Sequence, residues 1–246
     1  MNVALLLVLS VLLGWVAGGF ANWAADRLPT WRRLPSSDRQ AHRPHAWLHY
    51  GTLGWYFRRN GICPHCGERR PWRAPAVEAA MMVLFLVIAW RFGETPATLV
   101  VAWCYAWFLV AVLVIDFETR RVLNIMVVPA AVFVVGANWW LQPANLPSMI
   151  GGGLVGFGLF GLLYGIGRML FGRGALGLGD VKLAGVIGLM TGYPAVMQAL
   201  LYGALLGGVA ALALLATRRA GMKSTSAYAP YLAVGAMIAL WTALGG

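Results

Sequence analysis

What this chain lacks most is charge. Asp, Glu, Lys and Arg make up only 11% of its 246 residues, while apolar side chains make up 60%. With a mean hydropathy of +0.72, that balance excludes a water-soluble globule and describes an all-α polytopic membrane protein in contact with a lipid bilayer. Acids are the scarcest class, eight Asp and Glu against nineteen Lys and Arg, for a net charge of +11. In a soluble domain such a surplus would point to nucleic acid. Here the positions of the charges say more than their sum, and no nucleic-acid partner is expected. The amino terminus also lacks the basic stretch of a cleaved signal peptide, and its apolar run is longer than an ordinary signal core, so it reads as a retained helix.

Apolar stretches of spanning length occur at 3–24, 76–90, 97–115, 122–141, 149–170, 195–216 and 228–244, which gives seven transmembrane helices. An eighth, 181–190, is shorter and is bounded by Thr191, Gly192, Tyr193 and Pro194. Lys and Arg collect on the cytoplasmic side of a membrane protein, and this tests the count. With the amino terminus outside, the inward segments hold ten arginines from Arg27 to Arg73, then Arg120 and Arg121, then Arg168, Arg173 and Lys182, then Arg218, Arg219 and Lys223; only Arg91 falls outside. Removing the short segment would place Arg218, Arg219 and Lys223 outside, so eight spans are expected, with both termini outside.

Because acids are so few, a carboxylate at the edge of a lipid-length run is a functional candidate with a partner to be named. Asp180 closes the glycine-rich part of Gly174-Ala175-Leu176-Gly177-Leu178-Gly179-Asp180, and Asp116 ends the apolar run 103–115. The topology puts both at the cytoplasmic ends of their helices, which suggests an acid/base dyad. The bland reading is that Asp180 only caps the short helix and pairs with Lys182. Cys104 reads as packing, since twelve residues at about 1.5 Å each set it roughly 18 Å deeper than Asp116. The glycine run 151–167 reads as a close helix contact, and Trp139 and Trp140 as interfacial anchors.

The polar stretch 27–73 is too short and too poor in aliphatics for a core of its own, so a metal, a disulfide or the membrane surface must order it. Cys63-Pro64-His65-Cys66 has the spacing by which a turn aims two thiolates at one ion, and His42-Arg43-Pro44-His45 repeats it with imidazoles. A structural zinc on His42, His45, Cys63 and Cys66 is expected. His49 or His65 could replace either histidine, and a reduced unmetallated pair or a redox pair remain alternatives. A reducing cytoplasmic side weighs against a disulfide.

Five segments together resemble a known family. They are Gly18-Gly19-Phe20-Ala21-Asn22 with Arg27-Leu28-Pro29; residues 61–78 with Cys63 and Cys66; Ile115-Asp116; Gly177-Leu178-Gly179-Asp180-Val181-Lys182-Leu183; and Ala229-Pro230-Tyr231-Leu232-Ala233. These resemble the type IV prepilin peptidases of bacterial inner membranes, GxGD aspartyl proteases that also act as N-methyltransferases. The resemblance implies removal of the basic leader of a prepilin or pseudopilin, for type IV pili or type II secretion. Methylation of the new amino terminus from S-adenosylmethionine would follow. It makes Asp116 and Asp180 the catalytic pair at the cytoplasmic face, Gly177, Gly179 and Lys182 their loop, and Gly18, Phe20, Asn22 and Arg27 part of a methyltransferase region. That region, with the loop, would occupy residues 1–74, and the peptidase residues 75–246.

Two departures stand out. The family's first CxxC pair reads His42-x-x-His45 here, which keeps a metal site plausible, and its Pro-Asp beyond the first catalytic Asp reads Leu123-Asn124, which would alter loop shape. The two glycines would let the backbone turn tightly and approach the substrate strand. Rival readings are a peptidase without the second activity, a proton-coupled transporter using the same acids, and a catalytically silent adaptor. Transporters tend to show internal repeats and midplane acids, and neither is visible.

Overall fold

The computed structural model describes residues 3–29, 72–171, 177–217 and 228–243. Every regular element among them is helical: α1 (Val3–Arg27), α2 (Arg73–Phe92), α3 (Pro96–Thr119), α4 (Asn124–Leu141), α5 (Leu146–Phe171), α6 (Leu178–Thr191), α7 (Ala195–Ala216) and α8 (Ala229–Ala243), with a single 3-10 turn at Pro143–Asn145. Six of these, α1 to α5 and α7, are long and apolar enough to cross a membrane. The remaining two, α6 and α8, have 14 and 15 residues. Large apolar side chains point outward on most of the helices, among them Leu12, Val132, Leu154 and Leu212. That arrangement is stable against lipid and costly against water.

The chain forms two compact units, residues 1–111 and 112–246. In the first, α1 lies against α2 with almost no space between backbones. A Cβ on Gly14 would stand 2.7 Å from the Met81 carbonyl oxygen, and one on Gly18 2.6 Å from Glu78 Cα. Gly14 and Gly18 are four residues apart, the small-residue spacing by which helices in lipid gain contact where no hydrophobic effect drives them together. Polar contacts then run along the seam. Trp15 Nε1 donates to Glu78 Oε2 at 3.0 Å, Asn22 Nδ2 donates to the Ala74 carbonyl at 2.9 Å, and Arg73 pairs with Asp26 at 2.6 Å. In α3, Trp103 Nε1 donates to the Phe85 carbonyl of α2 at 3.1 Å and the two rings stack.

In the second unit α5 and α6 are in the same kind of contact, with Gly152 against Gly188 and Gly156 against Ala184. The glycine run therefore serves the close approach expected of it, at the positions that face α6. The helix α6 is lined by α5 along one side and touched by α4, α7 and α8, and its Leu183, Ala184 and Ile187 are fully buried. With α4, α5, α7 and α8 around it, α6 is enclosed by protein on several sides.

Candidate active site

Asp116 lies in the last turn of α3 and is 3% exposed. The helix ends just beyond it at Arg120, whose φ of 51° is left-handed and whose N–H still bonds the Asp116 carbonyl at 2.8 Å. A non-glycine residue in that region closes a helix at some cost in strain. The turn leaves the Arg120 side chain within electrostatic reach of the Asp116 carboxylate. The carboxylate takes one backbone hydrogen bond, from the N–H of Ala229, and its Oδ2 is buried without a partner among the described residues.

Asp180 is held in a parallel way at the start of α6. Gly177 has an extended backbone, φ −88° and ψ 143°, and precedes the helix. Its N–H donates to Asp180 Oδ2 at 3.1 Å, while its carbonyl accepts the Asp180 N–H at 3.1 Å. This reciprocal pair satisfies helix-start donors and places the carboxylate at the positive end of α6. Asp180 does cap its helix, but Lys182 does not pair with it. Lys182 Nζ instead donates to Asn124 Oδ1 at 2.9 Å, so Asn124 keeps the connection between α3 and α4 tied to α6 with a neutral amide. At Gly179 the neighbour is Val122, whose Cβ would be 2.8 Å from an added Cβ. The room left by that glycine is thus filled by the chain's own α3–α4 connection.

Three helix ends meet here: the end of α3 with Asp116, the start of α6 with Asp180, and the start of α8 with Ala229. The two carboxylates lie within electrostatic reach of each other, and each receives a main-chain N–H at a helix start. Neighbouring carboxylates share one proton more readily than they shed both. Such a pair offers a base and an acid at once, and Asp116 Oδ2 is an acceptor with no partner among the described residues.

The other site residues named from the sequence lie in the first unit. Gly18 abuts Glu78, and Asn22 is fully buried with its Oδ1 unpartnered among the described residues. Phe20 stacks on Trp23 at 5.1 Å and on Trp107 at 5.3 Å, and the Arg27 guanidinium stands 5.7 Å from the centre of the Trp23 ring. His42, His45, Cys63 and Cys66 lie outside the described residues, among which no group of metal-binding side chains occurs. Sequence reasoning missed Glu78 and Tyr228. Glu78 was findable, since an acid at the third position of the expected span 76–90 is anomalous by the same rule that picked out Asp180. Tyr228 carried no such mark, because its relation to Asp180 exists only in the fold.

The profile of the Type IV leader peptidase family matches residues 103–212, and that of the Bacterial Peptidase A24 N-terminal domain matches residues 12–92. A protein of Dickeya chrysanthemi named prepilin leader peptidase/N-methyltransferase is 30% identical over 96% of this chain and 93% of its own length. The chain belongs to the type IV leader peptidase family. Similar proteins of the same name occur in Pseudomonas putida, 28% identical over 98% of this chain and 92% of the relative, and in Pseudomonas aeruginosa, 26% identical over 94% and 88%. No solved structure matches the chain at a significant level. As a type IV leader peptidase family member it has Asp116 and Asp180 inside the first matched segment, and Gly18, Asn22 and Glu78 inside the second.

Proposed function

We infer that this chain is a prepilin leader peptidase and N-methyltransferase of a bacterial inner membrane. It removes the basic leader of a prepilin or pseudopilin and then methylates the exposed amino terminus. The observation that carries the peptidase reading is the juxtaposition of Asp116 and Asp180, two buried acids on separate helices, each fixed by a backbone N–H. The ionised member takes a proton from water as the water oxygen bonds to the scissile carbonyl carbon; the protonated member gives its proton to the carbonyl oxygen. Collapse of the resulting diol breaks the C–N bond: the proton first taken up passes to the departing nitrogen, and one diol hydroxyl returns its proton to the other carboxylate, which restores the pair. Both acids stand at helix ends rather than mid-helix, which favours this reading over a transporter that carries protons across the bilayer.

The topology we propose has eight spans with both termini outside and the site at the cytoplasmic face. Meeting of the end of α3 with the starts of α6 and α8 supports it, since two helices intervene between each of these ends and the next, and α6 must count as a crossing. Residues 1–74 would form the methyltransferase-associated region and 75–246 the peptidase. S-adenosylmethionine supplies the methyl group when bound. Among the described residues, groups that suit it are the partly exposed Phe20 ring beside Trp23 and Trp107, an aromatic surface for a purine, and the Arg27 guanidinium near Trp23, a cation for a carboxylate. His42, His45, Cys63 and Cys66 would hold one structural zinc that orders the loop and takes no part in hydrolysis.

Co-expression with a prepilin, read by the intact mass of the product, tests the reading. Wild-type protein is expected to yield a leaderless, methylated pilin, and Asp116→Asn or Asp180→Asn an unprocessed one while still accumulating in the membrane. Positioned acid and base groups supply about 10² to 10⁴ in rate, so near wild-type processing by either variant refutes the mechanism.

A further inference from the structure

The residues between Thr119 and Asn124 join α3 to α4, and they pass over the start of α6. Arg120 turns the chain with its φ of 51°, a conformation that strains a non-glycine residue. Leu123, the last residue before α4, is extended, with φ −86° and ψ 125°. Gly177 before α6 is extended in the same way. Val122 lies directly on the glycine turn: a Cβ added to Gly179 would be 2.8 Å from Val122 Cβ, 3.4 Å from its carbonyl oxygen and 3.5 Å from its Cα. A stretch of the chain's own backbone therefore lies where the turn leads into Asp180.

The fastening of this connection to α6 is light. Val122 is only half-buried, and the bond from Lys182 Nζ to Asn124 Oδ1, at 2.9 Å, is exposed, so water competes for both of its ends. Glycine is a poor residue for a helix, and at position 179 it clears an approach at backbone level on the side that leads to Asp180. One space cannot be filled twice. Any peptide strand that comes as close to Gly179 as Val122 does must first move Val122 aside.

We propose that the connection 120–123 is an autoinhibitory strap: Val122 occupies the seat of the substrate strand at Gly179, and a prepilin takes that seat by displacing it. The proposal rests on the peptidase reading above. Binding then includes the cost of lifting the strap, and the measured affinity is the intrinsic one reduced by the fraction of molecules in which the strap is raised. Lifting it leaves the Gly177 N–H on the Asp180 carboxylate and the Arg120 N–H on the Asp116 carbonyl in place. The strap thus acts on substrate binding and not on the chemical step.

The test uses full-length protein in detergent with a purified prepilin and no methyl donor. Val122→Ala is expected to lower KM for the prepilin by about three- to tenfold, the scale of one or two methyl groups of contact, with kcat within about twofold. Asn124→Ala, which releases the other fastening, should lower KM by about two- to threefold. A contact that only shapes the loop would leave KM unchanged or raise it when Val122 is cut back, and either result overturns the proposal. Gly179→Ala should raise KM by about tenfold or more, and Gly179→Ala/Val122→Ala should stay impaired, because the added Cβ stands in the seat itself. Recovery of wild-type KM by that double variant would mean that the glycine serves the connection alone, and it too overturns the proposal. Should Val122→Ala fail to accumulate, Asn124→Ala decides, with a KM at or above wild type counting against the strap. Wild-type protein that cleaves nothing overturns the peptidase reading and this one with it, whereas wild-type cleavage abolished by Asp180→Asn secures that reading and leaves the strap to be judged by KM.

Discussion

Gly18→Ala should separate the two activities of this chain. The added Cβ would lie 2.6 Å from Glu78 Cα, whereas non-bonded carbons rest at about 3.5–4.0 Å. The helices α1 and α2 must therefore part by about 1 Å near this point. The hydrogen bond from Trp15 to Glu78, now 3.0 Å, would stretch past the length at which it contributes. Asn22 and Ala74, at 2.9 Å one turn further on, would loosen with it. Overpacking of this kind costs about 1–3 kcal/mol, and a misplacement of about 1 Å can cost roughly 10²-fold where a reaction depends on orientation. Phe20, Asn22 and Arg27 ride on α1, whereas Asp116 and Asp180 belong to the other compact unit. Methylation should thus fall by about ten- to a hundredfold while leader removal changes by less than about threefold. Intact-mass analysis of the pilin over time reads both steps in one sample. Equal losses of cleavage and methylation, or no loss of either, would refute the reasoning.

Other outcomes follow from the same geometry. Purified protein should hold about one zinc per chain, which Cys63→Ser/Cys66→Ser removes while peptidase activity survives in part; elemental analysis finding none in the wild type rules the site out. Asn124→Asp converts the bond with Lys182 into an exposed ion pair worth less than about 1 kcal/mol, so thermal unfolding should shift by only a few degrees and cleavage should hold within about threefold. Gly188→Ala should slow cleavage, because it forces α6 away from α5 and carries Asp180 with it, although it lies about two turns from the carboxylate; a wild-type rate would show that α6 absorbs the strain locally.

The nearness of Asp116 and Asp180 was legible because lipid makes acids expensive. In a chain so poor in charge, an aspartate at each of two helix ends needed only an assignment of topology to be placed together. The boundaries were less legible. Hydropathy windows stop where polar residues begin, but hydrogen bonding carries α3 on to Thr119 and α2 back to Arg73. Asp116 is therefore inside its helix, where its side chain can face the start of α8. The partners of the carboxylates left no trace in composition or spacing. Ala229 contributes through its backbone alone, from 113 positions beyond Asp116 in the sequence, and any residue but proline carries that N–H. Lys182 was named as part of the Asp180 loop, and its pairing with Asp180 belonged only to the rival reading in which that acid merely caps its helix; the fold gives Lys182 the Asn124 side chain instead.

Main-chain amides as the clamps on both carboxylates have a genetic consequence. A side chain added at Ala229 or Gly177 does not itself remove the donor, so side-chain scanning would not read out either of the main-chain hydrogen bonds described on the carboxylates. Only proline deletes the group itself. Ala229→Pro and Gly177→Pro would act as point deletions of one hydrogen bond each, a loss distinct from crowding, which any larger side chain would bring because Ala229 is fully buried and a Cβ on Gly177 would stand 3.1 Å from Asp180 Oδ2.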